Sequence, residues 1–431
     1  MHDAPSRWRI LLAAVGLLAL TAGADTTYHL RDLGTLGGAN SRAYGLNEQG
    51  WVVGEAETAA GELHAFLWTP TNGMVDLGTL GGEISRAYDV NERGQVVGEA
   101  ERENGHMQPF VWLGASGLTN LPLPEGFREG YAYANNNFGV IAGAGDVGEG
   151  TRGLTWSVDG VQVPAALTNM GSSLAQDVND LGDLVGQSER GDEEAFVSRA
   201  FFSGHAGVFA NLGEVTGEFS SAALAVNERG QAAGYAERGD ATHAVVFDVT
   251  NGWTDIDSLD NVYSVAHGLN DAGAAVGLFV RSHEDDDRAF VATAEGMADL
   301  NELVETDQPW LLVEARAINQ AGQIVGYGLV NERERAFLLT PQIEAARGAR
   351  PEIHIVQPAP RTQVREGSDV LLAAAGAPQA RLRRVTFFAN GVILGSALRP
   401  PYELVWSNVT AGAYHLVAEA VDQQGRSRRS S

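Results

Sequence analysis

DLGTLGGEISRAYDVNERGQVVGEA, residues Asp76 to Ala100, restates DLGTLGGANSRAYGLNEQGWVVGEA, residues Asp32 to Ala56, after a spacing of 44 residues. A chain that repeats itself at this period builds one supersecondary unit many times over. Working outward, an Asn-x-x-Gly turn followed by a second Gly marks seven copies: Asn47/Gly50/Gly54, Asn91/Gly94/Gly98, Asn136/Gly139/Gly143, Asn179/Gly182/Gly186, Asn227/Gly230/Gly234, Asn270/Gly273/Gly277 and Asn319/Gly322/Gly326. A second marker keeps the same register, as His64-Ala65-Phe66, Gln108-Pro109-Phe110, Arg152-Gly153-Leu154, Arg199-Ala200-Phe201, His243-Ala244-Val245, Arg288-Ala289-Phe290 and Arg335-Ala336-Phe337.

Each copy divides into four strand candidates of four to six residues, rich in β-branched and aromatic side chains and punctuated by Gly and Asn. The gaps leave no room for the helices of an α-solenoid. In Asn-Glu-Arg-Gly the Asn side chain is placed to bond the backbone two residues on, and the Gly to take the positive φ that closes a tight hairpin. Four-stranded units of this length are the size of propeller blades. The seventh copy ends with its third strand, Arg335 to Thr340, while Tyr28 to Leu33 is an orphan strand of the fourth type. Pairing the orphan with Ala336 to Leu339 would lock a ring. The expected fold class is therefore all-β: a seven-bladed β-propeller over residues 25–343, closed by the N-terminal strand. An open β-solenoid or split array is the alternative.

The flanks differ in composition. Arg7 and Arg9, the apolar run Ile10 to Leu20 and Ala22-Gly23-Ala24 read as a cleaved signal peptide, residues 1–24, rather than an uncleaved anchor. The mature chain has no apolar stretch long enough to span a membrane, and with no cysteine it has no disulfide framework. The protein is expected outside the cytoplasm, secreted or held in the periplasm or at the cell surface. Net charge is −26, and residues 1–346 carry it, with 18 basic against 49 acidic side chains. Such a surface repels phosphate backbones, so no nucleic-acid partner is expected. After a linker at 344–351, strand-like runs at Glu352–Val356, Asp369–Ala374, Arg384–Leu394, Tyr402–Trp406 and Tyr414–Val421 form a small Ig-like β-sandwich pattern over 352–431. The chain stops at Arg428-Arg429-Ser430-Ser431, where one more strand is expected, so the sandwich reads as incomplete.

His64-Ala65-Phe66, with Asp76 to Gly82 and Asn91 to Gly98, resembles the bacterial HAF-type extracellular repeat. The resemblance covers about three quarters of the chain and weakens in the third to sixth copies, where Asp-Leu-Gly-Thr-Leu-Gly-Gly is lost. It implies an exported bacterial protein and carries over no catalytic residues. Val385 to Gly391, with Pro401-Tyr402 and Ala418 to Asp422, is similar to the Ig-like modules attached to secreted polysaccharide-active enzymes, which implies a glycan setting.

The sequence contains no His-Glu-x-x-His, no Gly-x-Ser-x-Gly, no phosphate loop, no nucleophilic Cys and no Asp-box turn. Asp255, Asp257 and Asp260 lack the Gly of a calcium loop, and the acids Glu284 to Asp287 read as a solvated tip. No catalytic residue, metal site or cofactor is expected, and a monomer is. Copy-to-copy variation is more informative. An Ala recurs in every first strand (Ala43, Ala87, Ala132, Ala175, Ala223, Ala266, Ala315), consistent with crowding near an axis, while the residue after it varies as Tyr44, Tyr88, Tyr133, Gln176, Leu224, His267 and Arg316. Aromatic and hydrogen-bonding groups in one ring suit a sugar, or merely fill a layer of the blade interfaces. A second ring, His64, Gln108, Arg152, Arg199, His243, Arg288 and Arg335, is basic on an acidic body; it suits an anionic ligand, or pairs with neighbouring carboxylates. The leading function is an exported binding or scaffold protein recognising a glycan or protein on one propeller face. A lyase or glycosidase with an acidic site at the channel, and a spacer of a surface layer, are the alternatives.

Overall fold

The computed structural model describes residues 26–342 and 353–430 apart from short internal stretches, the longest of them 191–196 and 213–219. The signal peptide and the linker expected from the sequence lie outside the described residues, as does Asp260. Short 3-10 turns aside, the secondary structure is all β, and among the described residues no helix is long and apolar enough to cross a membrane. Two compact units appear, Met1–Gln342 and Ile343–Ser431.

In the first unit the strands fall into antiparallel sets of four, of which Gly37–Leu46, Val52–Thr58, Leu63–Thr69 and Gly73–Gly78 make the first. Later sets begin with Gly81–Val90, Glu129–Asn135, Ser173–Val178, Ser221–Val226, Tyr263–Leu269 and Trp310–Ile318. The fifth and sixth sets also touch through one parallel bridge, Thr242 to Tyr263. In the last set the fourth strand comes from the other end of the unit: Thr27–Asp32 lies antiparallel to Arg333–Gln342, with Leu30 opposite Leu339 and Asp32 opposite Phe337. First strands of consecutive sets touch one another, and Gly37–Leu46 also touches Trp310–Ile318.

The hairpins form as their residues dictate. Asn47 Oδ1 accepts the N–H groups of Gln49 and Trp51 at 3.1 and 2.9 Å, and Gly50 sits at φ 74°, a left-handed backbone that any Cβ would disfavour. The second Gly of each marker has a different reason. A Cβ at Gly54 or Gly98 would fall under 3.0 Å from the carbonyl oxygen of Arg42 or Arg86 on the neighbouring strand. The connection between the first two sets is the Asp-Leu-Gly-Thr-Leu-Gly-Gly run itself: Asp76 Oδ1 accepts Gly78 N at 2.7 Å and Thr79 Oγ1 donates to Gly82 O at 2.8 Å.

Apolar side chains are buried between sets rather than inside them. Val53, Ala65 and Leu67 of the first set pack on Ala87, Val96 and Phe110 of the second, and Ala43, Val52 and Phe66 pack on Val325, Ala336 and Leu338 of the last. The recurrent Ala therefore belongs to these interfaces, and the crowding that keeps it small is between sets.

The second unit holds two sheets. One has Ile353–Gln357, Val370–Gly376 and Tyr402–Trp406, and the other Val392–Ala397, Leu382–Ala389, Leu416–Asp422 and Ser427–Arg429. Leu372, Val385, Phe387, Ala418 and Ala420 are buried in a shared core. The run Arg384–Leu394 divides at the Asn390-Gly391 turn, where the two residues take φ 49° and 85°, the paired left-handed turn that reverses a hairpin. One sequence expectation is corrected: the end of the sequence, read as holding no strand, forms Ser427–Arg429, paired with Leu416–Asp422.

Candidate functional site

In every first strand the ladder slips by one residue. The shifts fall between Ala43 and Gly45, Ala87 and Asp89, Ala132 and Ala134, Ala175 and Asp177, Ala223 and Ala225, Ala266 and Gly268, and Ala315 and Ala317. The residue left without a ladder partner is thus Tyr44, Tyr88, Tyr133, Gln176, Leu224, His267 or Arg316. A bulge turns a side chain out of the regular alternation, and these seven, together with Arg86, line one cavity of about 480 Å³. That volume lies within the range of small-ligand sites.

Tyrosines and charged pairs occupy one arc of the wall. The Tyr44 and Tyr88 ring centres are 5.7 Å apart, as are those of Tyr88 and Tyr133, and Tyr131 stacks on Tyr133. Tyr44 donates its hydroxyl to Glu55 at 2.7 Å and Tyr88 to Glu99 at 2.9 Å. Arg86 joins the two carboxylates, with Nε 2.6 Å from Glu55 and Nη1 2.8 Å from Glu99. Burial first, and the nearby carboxylates second, push the Tyr44 and Tyr88 hydroxyls well above the ordinary tyrosine value, so both stay protonated as donors. The Tyr133 hydroxyl and the Gln176 amide make no hydrogen bond among the described residues.

His267 Nε2 and Arg316 Nε approach the same Glu314 oxygen at 2.8 and 3.0 Å. Neither approach is aligned as a good hydrogen bond, so the Arg316 contact is an ion pair and the His267 contact a close polar one. Burial lowers the His267 pKa and keeps the imidazole neutral against the pull of Glu314. Burial raises the Glu314 carboxyl, but His267 and the Arg316 charge outweigh it and the net shift is downward. The guanidinium of Arg316 also stands 5.5 Å over the Tyr44 ring.

None of the second, basic ring lines this cavity. His64 Nδ1 lies 3.0 Å from Asp76, His243 Nδ1 2.8 Å from Asp255 and Arg288 Nε 2.7 Å from Asp299, each acid on the fourth strand of its own set. Arg152 bonds the carbonyls of Thr151 and Gly171, and Gln108 that of Met107 at 3.4 Å. Arg199 is engaged too, while Arg335 has a buried Nε that meets no acceptor. Asp257, weighed for calcium, is occupied structurally: its carboxylate accepts from Leu259 N, Asn261 and Ser264.

Two features escaped the sequence. Glu55 and Glu99 are visible there as lone acids in the apolar strand Val-Val-Gly-Glu-Ala, a pattern that by itself signals a buried charge awaiting a partner. The other feature is a pair of hydrogen-bond cycles at the hairpin tips. Asn47 Nδ2 donates to Asn91 O, Asn91 to Asn136 O, and so on through Asn179, Asn227, Asn270 and Asn319, which donates to Asn47 O. The residue after each Asn (Glu48, Glu92, Asn137, Asp180, Glu228, Asp271, Gln320) accepts the backbone N–H of its counterpart in the neighbouring set, again back to Glu48. An acceptor follows Asn in all seven copies, which is the signal that was available.

A family model described as a bacterial Ig domain matches residues 351–418, and the C-terminal module is Ig-like. No model of the HAF-type repeat matches, and no curated protein does. Among solved structures the chain is similar to the fibronectin(III)-like modules of Clostridium thermocellum CbhA, at 25% identity over 18% of this chain and 87% of that one, TM-score 0.18. It is similar to a streptogramin B lyase at 12% identity over 73% and 98%, TM-score 0.48. It also resembles the Aleuria aurantia lectin in complex with alpha-methyl-L-fucoside, at 11% identity over 64% and 94%, TM-score 0.34.

Proposed function

We propose that residues 27–342 form a seven-bladed β-propeller of the HAF-repeat type, closed by Thr27–Asp32, which with its Ig-like module leaves the cytoplasm and binds an extracellular glycan in the Tyr44–Arg316 cavity. The carrying observation is that the cavity is lined by the seven bulge residues, the positions that vary from copy to copy inside an otherwise repeated frame. The two hydrogen-bond cycles that return to Asn47 and Glu48 support the closed ring. A sugar presents flat C–H faces and hydroxyl edges. The tyrosine faces and Leu224 suit the first, and the uncommitted Tyr133 hydroxyl and Gln176 amide suit the second.

A hydrolase working with two carboxyls keeps one of them free to give a proton. Here Glu55 and Glu99 share Arg86, and Glu314 sits beside Arg316, which favours binding over hydrolysis. A protein partner would ask for a face of roughly 800 Å², whereas this site is a concave pocket of saccharide size. Glycan-array binding by the mature chain, read beside the double variant Tyr133→Ala/Gln176→Ala, tests the reading. Loss of array binding with an unshifted Tm is expected. Binding that survives the double substitution removes the cavity as the site, and a mature chain that binds no glycan removes the function.

A further inference from the structure

We infer that the saccharide carries a protonated amine, because the two arginines of the cavity lining, Arg86 and Arg316, are outnumbered by the buried carboxylates they touch, Glu55, Glu99 and Glu314; this rests on the glycan reading above. The lining itself holds no carboxylate, and its cations are counted with the buried acids they pair with. Arg86 lies between Glu55 and Glu99, and Arg316 lies against Glu314. Arg42, on the same strand as Tyr44, is matched by Glu334, with Nε 2.6 Å from Oε2. Burial lowers the His267 pKa and so disfavours a charge there. One negative charge is left over.

Its place can be named. Both oxygens of Glu55 are engaged, one by the Tyr44 hydroxyl and one by Arg86 Nε. Glu99 differs: Oε1 accepts both the Tyr88 hydroxyl and Arg86 Nη1, and Oε2 takes no hydrogen bond among the described residues. The unmatched charge therefore sits beside Tyr88, whose ring meets those of Tyr44 and Tyr133. Electron-rich ring faces attract a cation in the same place where the carboxylate does. A uronic acid or sulfated sugar meets the opposite conditions: the leftover carboxylate, and the field of a unit with 18 basic against 48 acidic side chains.

The experiment measures affinity of the mature chain for glucosamine oligomers, their N-acetylated counterparts and galacturonate oligomers, at about pH 6, where an amine is protonated. Amine-bearing oligomers are expected to bind at least about tenfold tighter than acetylated ones, and galacturonate oligomers weakest. Glu99→Gln should bring the first two together. Because Glu99 is buried and its replacement risks the fold, Gln176→Arg, a half-buried position without hydrogen bonds, is the second variant; it should shift preference toward galacturonate. Equal binding of amine and acetylated oligomers, or tightest binding of galacturonate, overturns the inference and leaves the glycan reading standing. No binding of any of the three, with a positive array for other sugars, overturns it likewise, and a blank array sinks both.

Discussion

Asn91 uses both ends of its amide. Oδ1 accepts Arg93 N and Gln95 N at 3.0 and 3.1 Å, shaping its own hairpin, while Nδ2 reaches the Asn136 carbonyl of the next set at 3.0 Å. The residue is buried, so truncation leaves donors and acceptors unmatched with no water to replace the loss. Asn91→Ala is expected to cost about 2–3 kcal/mol, seen as a lower urea midpoint; a change under about 0.5 kcal/mol would mean the bonds do not matter. A second clasp works the same way. Ser85 Oγ accepts Ala65 N across the boundary at 2.8 Å and donates to Gly78 O at 2.6 Å, and Ser41, Ser173, Ser221 and Ser264 repeat the acceptance. Two boundaries lack the serine: the sixth-to-seventh has Val313 in its place, and at the second-to-third the third strand offers Pro109, which has no N–H, and the facing position is Gly130, which has no hydroxyl and lies close to the proline ring. Ser85→Ala should therefore lower stability by about 2 kcal/mol, whereas Pro109→Ala creates a donor with no acceptor and should also destabilise. A stabilised Pro109→Ala protein would refute the pairing.

Among the elements, the strand Thr27–Asp32 depends most on partners far away in sequence. Tyr28 is 1% exposed, its N–H donates to Leu303 O at 2.8 Å, and its ring joins Val291, Leu312 and Phe337 in one core. Yet its hydroxyl is buried and meets no partner among the described residues, and burial pushes its pKa up to about 12. An unpaired buried hydroxyl costs more than a phenyl of the same shape, so Tyr28→Phe is expected to raise Tm, and Tyr28→Ala to lower it sharply by emptying the site. A lower Tm for the Phe variant would show that the hydroxyl has a partner after all. The strand itself was legible, because alternation and turn residues are local. Legible too were the seven hairpins, from Asn and Gly. The short outer strands, such as Leu118–Asn120 and Gly160–Gln162, were less so, since three residues carry no period. Tyr44 to Arg316 stood out by variation, but their convergence depends on a bulge, and a slip in pairing leaves no mark in one strand read alone. In the basic ring, the carboxylate pairing that the sequence offered as one reading is made by His64, His243 and Arg288, whose partners Asp76, Asp255 and Asp299 sit on the neighbouring strand 11 or 12 residues away.

Over the whole first unit, the excess of acids meets burial at a few points, and those points set how stability depends on pH. Asp89 and Asp177 follow the bulge residues Tyr88 and Gln176, and each accepts two backbone N–H groups, one from its own strand and one from a later first strand. Burial is the largest influence on both and outweighs those bonds, raising Asp89 to about 6 and Asp177 to about 7, with Asp89 adding to the rise of Asp177. A carboxyl whose folded value exceeds its unfolded one binds protons more tightly when folded. The stability it contributes is whole below the unfolded value and is lost as pH climbs through the folded value. Asp183 and Glu314 run the other way: burial raises them but is outweighed, in Asp183 by His205 N and Asn179 and in Glu314 by His267 and Arg316, leaving both lowered. Their contribution is lost only as pH falls below the usual carboxylate range. The two trends leave a maximum in mildly acid solution, and Tm should fall between about pH 5 and pH 8. Asp177→Asn keeps the size of the side chain but cannot accept both N–H groups, so its Tm at any one pH is not the readout; the slope is. The variant should show a shallower fall than the parent over that interval. A parent Tm that is flat or rising there, or an unchanged slope in the variant, would mean that these carboxyls titrate in the ordinary acid range and that the backbone bonds, not burial, govern them.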